Sequence, residues 1–149
     1  MKKAVFRLPV IVMIIFIFTN SLTPSAASNS ASLSITERII PVLNAVHLDP
    51  SVDTLNFIIR KLAHFSEYAL LGVLVMTAVS FAPTLWKKKE LPVFFAVPLI
   101  DESLELITEG RSCEIRDMLI DSTGLLCGIL LSGLFLSLML QHQHKKQED

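Results

Sequence analysis

Residues 60–72 decide the fold, and they read Arg60-Lys61-Leu62-Ala63-His64-Phe65-Ser66-Glu67-Tyr68-Ala69-Leu70-Leu71-Gly72. Within this stretch Arg60, His64 and Glu67 are spaced i, i+4 and i+7, so on a helix they lie on one face. The segment continues as an apolar run, and in a membrane helix a central charge costs about 2.5–3.5 kcal/mol on insertion scales. Other parts of the protein must therefore provide polar partners for this face.

The composition is that of a small integral membrane protein. Of the 149 residues, 52% are hydrophobic and 18% are charged, and the apolar residues are clustered in blocks. We therefore predict one all-α domain in a lipid bilayer. The net charge of −1 provides no basic surface, so we expect no nucleic-acid partner. The two cysteines, Cys113 and Cys127, are too few for a disulfide framework, and we interpret both as free thiols.

Residues 1–20 are interpreted as a first transmembrane span that resembles a signal anchor. Lys2 and Lys3 precede an apolar run over residues 5–19. The alternative is a cleaved signal peptide, because the Ser-Ala-Ala sequence at residues 25–27 resembles a cleavage site. We favour the retained span, but the sequence alone leaves cleavage open.

Residues 21–56 are predicted to form an extracytoplasmic loop that contains a short amphipathic helix. Residues 21–34 are rich in serine, alanine and asparagine, a composition typical of an exposed loop. Ser34 and Glu37 have the spacing of a capping box, and apolar residues follow at helical spacing. We therefore expect a helix over residues 34–46 that lies on the membrane surface.

Residues 57–140 are predicted to form a core of three further spans. The second helix is expected to begin before the membrane, with Asp49 as its N-cap and Pro50 at the first helical position. Pro98 lies inside the third span, where it is expected to bend the helix. The three spans and the polar tail are expected at residues 57–81, 91–108, 118–140 and 141–149.

The distribution of lysine and arginine predicts the orientation. The N-terminus, residues 86–89 and the C-terminal tail are basic, so all three are expected in the cytoplasm. The fold class is therefore a four-transmembrane-helix bundle, a multi-pass cell-membrane protein with both termini cytoplasmic. A cleaved signal would leave three spans with the same face outward.

The charged residues of the last three spans fall at similar depths in the outer half of the membrane. From the helical rise, Glu67 lies about 10 Å below the interface, and Glu102 lies at a similar depth below Glu109. Asp121 lies about one turn below Asp117. We therefore predict one functional or ligand-binding cluster. Its members are Arg60, Lys61, His64, Glu67, Tyr68, Asp101, Glu102, Glu105, Arg111, Asp117 and Asp121.

A row of small residues runs down the fourth span. Gly124, Gly128 and Ser132 repeat every four residues, which is typical of a groove that another helix approaches closely. We interpret these three residues as helix packing. The same spacing turns Asp117 and Asp121 towards the interior of the bundle.

Two motifs carry a family resemblance. The first reads Arg60-Lys61-x-x-His64-x-x-Glu67-Tyr68-x-x-Leu71-Gly72. The second reads Asp101-Glu102-x-x-Glu105, then Gly110-Arg111, then Asp117-x-x-x-Asp121-x-x-Gly124. Together they resemble the signatures of the VanZ-like family, the membrane proteins named after a teicoplanin-resistance protein. The segment at residues 19–24 is also similar to the family's Ser-rich segment, which favours retention of the first span.

The resemblance covers about residues 16–130 and implies a membrane location. In the namesake of the family it also implies reduced susceptibility to a lipoglycopeptide antibiotic, but it implies no general reaction. The chain departs from the family pattern at Glu105, where glutamine is usual, and at Asp121, where asparagine is common. Both departures add negative charge.

Carboxylates outnumber cations in the outer half of the predicted bundle, so some are protonated or a cation is bound. Three hypotheses follow for this cluster. It could bind an amphiphile, such as a lipid-linked cell-wall precursor or a lipoglycopeptide, with residues 34–46 as a lid. It could instead belong to a membrane enzyme that acts on a lipid-type substrate. In that case His64 and Glu67 could ligate a metal together with Asp101, Glu102 or Asp121, or form an acid–base pair. It could also be a purely structural network.

The residue types favour binding over catalysis. A single histidine is a poor start for a zinc site, and its i+3 neighbour Glu67 is the expected partner of His64. We therefore expect no metal and no other cofactor, and we lean against an enzyme. The prediction is an outward-facing charged site within the membrane that binds a lipid-linked or amphiphilic cell-envelope ligand and affects lipoglycopeptide susceptibility.

Overall fold

The computed structural model describes residues 4–81 and 88–148, and this part of the chain contains helices and no strand. The all-α class predicted from the sequence is therefore confirmed. The α-helices are α1 Ala4–Ser21, α2 Ser25–Ala45, α3 Val52–Phe81, α4 Ala96–Glu105 and α5 Ile115–Glu148, with a 3-10 helix over Lys88–Phe95. Trp86 and Lys87, in the predicted basic loop, lie outside the described residues.

Two helices are long and apolar enough to cross a membrane. They are α3, with 30 residues, and the part of α5 over Ile115–His142, with 28 residues. A third candidate is the pair formed by α1 and α2, which meet at a bend of 104°. The described residues thus contain two to three candidate spans, and the count of four stays a prediction.

The helix α2 begins at Ser25, so the predicted exposed loop over residues 21–34 and the capping box at Ser34 are wrong. Serine favours loops because its hydroxyl competes for backbone groups. Here the Ser30 hydroxyl instead donates to the carbonyl of Ala26 at 2.9 Å, within the same helix. The serine side chains are thereby satisfied without ending the helix.

The helix α3 begins at Val52, two residues later than the predicted first helical residue Pro50. Its N-cap is Ser51, whose Oγ accepts a hydrogen bond from the Thr54 N–H at 3.2 Å. A serine hydroxyl at this position satisfies one of the unpaired donors of the first turn. The described part of the helix extends to Phe81.

The predicted third span over residues 91–108 is divided. A 3-10 helix over Lys88–Phe95 leads into α4, which has only 10 residues. Pro98 lies in the first turn of α4, where backbone N–H groups have no helical partner. The proline is therefore accommodated in α4 without the loss of a helical hydrogen bond. The helix α5 continues through the predicted polar tail to Glu148.

The core lies where α3 packs along α5, with α1 against the other side of α3. Its buried side chains include Ile17, Leu71 and Leu125. The helices approach closely at Gly124 and Gly128. A Cβ atom at Gly128 would lie 2.0 Å from the Ala69 carbonyl oxygen of α3, so only glycine fits there. This contact fixes the register of α3 against α5.

Candidate functional site

Charged and polar side chains from four helices and two connections meet at one end of the bundle. The predicted cluster is distributed over three helices and a turn. Helix α3 carries Arg60, Lys61, His64, Glu67 and Tyr68; α4 carries Asp101, Glu102 and Glu105; Arg111 lies in the turn after α4; Asp117 and Asp121 lie on α5.

One ion pair joins α3 to the first turn of α5. The Lys61 ammonium contacts the Asp117 carboxylate, and both side chains are mostly buried. The Lys61 Nζ also lies 5.2 Å from the centroid of the Phe57 ring, and the Arg116 guanidinium lies 5.0 Å from it. These contacts are favourable cation–π arrangements. The Lys61 charge is therefore fully engaged within the protein.

A second ion pair ties the turn after α4 to the connection between α1 and α2. The Arg111 guanidinium contacts the Glu105 carboxylate, with only 4% and 7% of the two side chains exposed. Its remaining donors reach the carbonyls of Thr23, at 2.9 Å, and Asn20, at 3.0 Å. One side chain thus holds three segments of the chain together.

The end of α1 contributes two site residues that sequence reasoning missed. The Asn20 Nδ2 donates to Glu67 Oε1 at 3.0 Å, and the Ser21 hydroxyl donates to the Asp101 carboxylate. Both were assigned to an exposed loop or to the end of a span. The available signal was the position of two polar residues directly after an apolar run.

His64 pairs with Asp121 of α5, so the prediction that Glu67 is its partner is wrong. The His64 Nδ1 lies 3.5 Å from Asp121 Oδ1, whereas the Glu67 carboxylate is held by Asn20. Asp101 joins this pair from α4: one ligand atom of each of the three residues lies within 4.8 Å of those of the other two. Three helices thus contribute one group each to a small polar centre.

The polar centre is buried and incompletely satisfied. Asp121 is fully buried, and neither of its carboxylate oxygens has a hydrogen-bond partner among the described residues. The Tyr68 hydroxyl is fully buried beside the Asp101 carboxylate, but it too lies outside hydrogen-bonding geometry. Buried polar groups are costly unless a hydrogen bond, a proton or an ion compensates them.

Glu102 shapes the connection between α4 and α5. Its Oε2 accepts a hydrogen bond from the Glu114 backbone N–H at 2.9 Å, immediately before α5 begins. Partial desolvation and the Glu102 carboxylate raise the pKa of the nearby Cys113 thiol, so this thiol stays protonated at neutral pH. Cys113 and Cys127 are both free thiols, as predicted.

Two cavities open beside the cluster. The first, of about 270 Å³, lies between α3 and the α1–α2 pair, and Arg60, His64 and Glu67 line its polar part. Its apolar walls are formed by Ala27, Ala31, Ile35, Ile59 and Ala63. The second, of about 230 Å³, is mainly polar and lies towards α5. Arg60 and Arg111 line both cavities.

Comparison with known proteins identifies the family. A family model described as VanZ/LLP1 matches residues 6–136, so the chain belongs to the VanZ/LLP1 family. No curated protein and no solved structure is detectably similar to the chain.

Proposed function

For this member of the VanZ/LLP1 family, we propose that the first cavity binds an amphiphile that carries an anionic group and a lipid tail. The observation that carries the proposal is the composition of the cavity walls. One part is lined by charged groups, including Arg60 and Arg111, and the other by small and branched apolar side chains. A ligand with a charged group beside an acyl or prenyl chain matches both parts.

Arg60 is the residue that would bind the anionic group. Lys61 is paired with Asp117, and Arg111 is paired with Glu105. Arg60, in contrast, forms no ion pair with any described residue, although it lines both cavities. A guanidinium with free donors suits a carboxylate or phosphate group.

The α2 helix would serve as one wall of the binding site. Ala27, Ala31 and Ile35 of α2 line the cavity, and of these only Ile35 belongs to residues 34–46, the segment predicted as a lid. With the basic N-terminus and tail in the cytoplasm, the cavity would open towards the outer face of the membrane. That location suits a lipid-linked cell-wall precursor or a lipoglycopeptide.

Drug susceptibility tests this function. Expression of the protein in a susceptible bacterium is expected to raise the inhibitory concentration of an acylated lipoglycopeptide and leave that of its non-acylated parent unchanged. The Arg60→Gln variant should lose the effect because the free guanidinium is removed. The matched control is Arg38→Gln, which removes an exposed arginine of α2 away from both cavities.

Equal protection against both drugs would contradict recognition of the lipid tail. Full protection by Arg60→Gln, at the same membrane abundance as the unmodified protein, would contradict the role of Arg60.

A further inference from the structure

We propose that His64, Asp101 and Asp121 form a binding site for one divalent transition-metal ion. The three groups come from α3, α4 and α5, and one ligand atom of each lies within 4.8 Å of those of the other two. A shared ion would lie about 2.0–2.2 Å from each ligand atom, so the three side chains would move closer together on binding. The site departs from the expectation, drawn from the sequence, that no metal is bound.

The local charge balance supports a cation at this place. Lys61 forms an ion pair with Asp117, and Arg111 forms one with Glu105, so neither cation neutralises the polar centre. Asp101 has the Ser21 hydroxyl as a donor, and Asp121 has only the long contact to His64. Two carboxylates and one imidazole at membrane depth are strongly stabilised by a divalent ion.

The unpartnered groups around the centre point to a ligand independently of the acidic cluster. The Tyr68 hydroxyl is fully buried beside Asp101 and has no hydrogen-bond partner among the described residues. The two carboxylate oxygens of Asp121 likewise have no hydrogen-bond partner among the described residues. A bound ion would occupy Asp121 directly and, through its own coordinated water, would provide a partner for Tyr68.

The donor set indicates the class of metal. Two carboxylates alone suit Mg²⁺ or Ca²⁺, whereas an added imidazole favours Mn²⁺, Fe²⁺ or Zn²⁺. Three protein ligands leave coordination positions open. Because His64 also lines the first cavity, these positions would face the anionic group of the amphiphile. This last step rests on the proposed function, whereas metal binding itself does not.

Metal titration of the purified protein tests the site without any lipid ligand. The protein is extracted in detergent, its purification tag is cleaved, and His142→Ala and His144→Ala are introduced to remove adventitious binding by the tail. After chelation and dialysis, Mn²⁺ binding is measured by electron paramagnetic resonance and Zn²⁺ binding by calorimetry. We expect about one equivalent of at least one ion per chain, as the three-ligand geometry requires.

Variants distinguish metal binding at this site from non-specific binding to acidic side chains. Asp121→Asn and His64→Ala should each weaken binding by roughly tenfold or more, the scale known for perturbed metal sites. The matched control is Asp53→Asn, which neutralises an exposed carboxylate of α3 that lines neither cavity. It should retain the stoichiometry and affinity of the parent. Thermal unfolding with and without metal gives a second measurement: metal should stabilise the parent and the Asp53→Asn protein, but not Asp121→Asn.

Failure of the folded parent protein to bind either ion would overturn the proposal. So would unchanged binding in Asp121→Asn, or an equal loss in Asp53→Asn. If the protein binds no metal but still protects against the drug, the proposed amphiphile function is retained and only the metal site is rejected.

Discussion

At the scale of single residues, Arg111 has the largest set of buried contacts in the charged cluster. Its guanidinium pairs with Glu105 and also donates to the carbonyls of Thr23 and Asn20. A planar group with several donors can satisfy three acceptors in different directions, whereas an ammonium acts as a single point charge. Arg111 therefore has a structural role even where the cluster also binds a ligand.

We predict that Arg111→Lys destabilises the protein although the charge is kept. Breaking a buried pair costs about 3–5 kcal/mol, and the retained charge should recover only part of this loss. Thermal unfolding in detergent measures the effect. The control is Arg116→Lys, because its pair with Glu114 is exposed and such pairs contribute only about 0–1 kcal/mol. Equal stability of the two variants would contradict the bridging role of Arg111.

Residue spacing in the sequence was enough to identify which ionisable groups share a region, but not which group contacts which. The face defined by Arg60, His64 and Glu67 lies at the site as spacing on one helix indicated. The partner of His64 could not be read from that spacing, because Asp121 lies on another helix and Glu67 is engaged by Asn20. Contacts between helices depend on their rotation and register, which a periodic pattern leaves open.

At the scale of helices, the contact between α3 and α5 sets the depth at which the charged groups meet. The α3 backbone lies directly against Gly124 and Gly128, so Lys61 is aligned with Asp117 and His64 with Asp121. A shift of one helical turn between these helices would separate both pairs. The small residues of α5 thus position the polar centre.

We predict that Gly128→Ala destabilises the protein and weakens every activity of the site. The new Cβ would lie 2.0 Å from the backbone oxygen of Ala69, so the helices must move apart. Overpacking of this kind costs about 1–3 kcal/mol. The matched control on the same helix is Gly133→Ala, whose Cβ would meet only the flexible end of Met76 at 3.1 Å. Thermal unfolding that is unchanged in Gly128→Ala, or equally lowered in Gly133→Ala, would refute the close contact.

Long apolar runs predicted the existence of the main helices, whereas their boundaries depended on groups outside the local pattern. A helix extends over residues 57–81, the predicted second span. The start of α2 was not predicted, because serine hydroxyls that normally favour loops bond within the helix, as Ser30 does. The division of the third predicted span into a 3-10 helix and the short α4 was not predicted either. The apolar run that contains Pro92 and Pro98 has the composition of a membrane span, and composition does not distinguish a 3-10 helix from an α-helix.

At the scale of the whole molecule, α1, α3, α4 and α5 bring their polar ends together, and α2 covers the cavity that results. The described residues supply two to three candidate spans, and the family match extends over residues 6–136. Composition was sufficient to predict a helical membrane protein. The bend of 104° between α1 and α2 creates the cavity wall. In the sequence, only Pro24 and the polar residues beside it indicated a break at this place.

The central claim, an outward-facing cavity that holds an amphiphile, is tested most directly by labelling a cysteine placed in the cavity. Ala63 lines its apolar wall, and Ala63→Cys is made in a protein that also carries Cys113→Ala and Cys127→Ala. Intact cells are treated with a membrane-impermeant maleimide, with and without an acylated lipoglycopeptide. The control protein keeps only Cys113, which is exposed and lines neither cavity.

Labelling is carried out at mildly alkaline pH, because the thiolate is the reactive form and the pKa of Cys113 is raised. We predict that the cysteine at position 63 is labelled from outside the cell and is protected by the acylated drug but not by its non-acylated parent. The Cys113 control should be labelled to the same extent under all three conditions. Labelling at position 63 only after the cells are permeabilised, or at a rate that the acylated drug does not change, would contradict the claim.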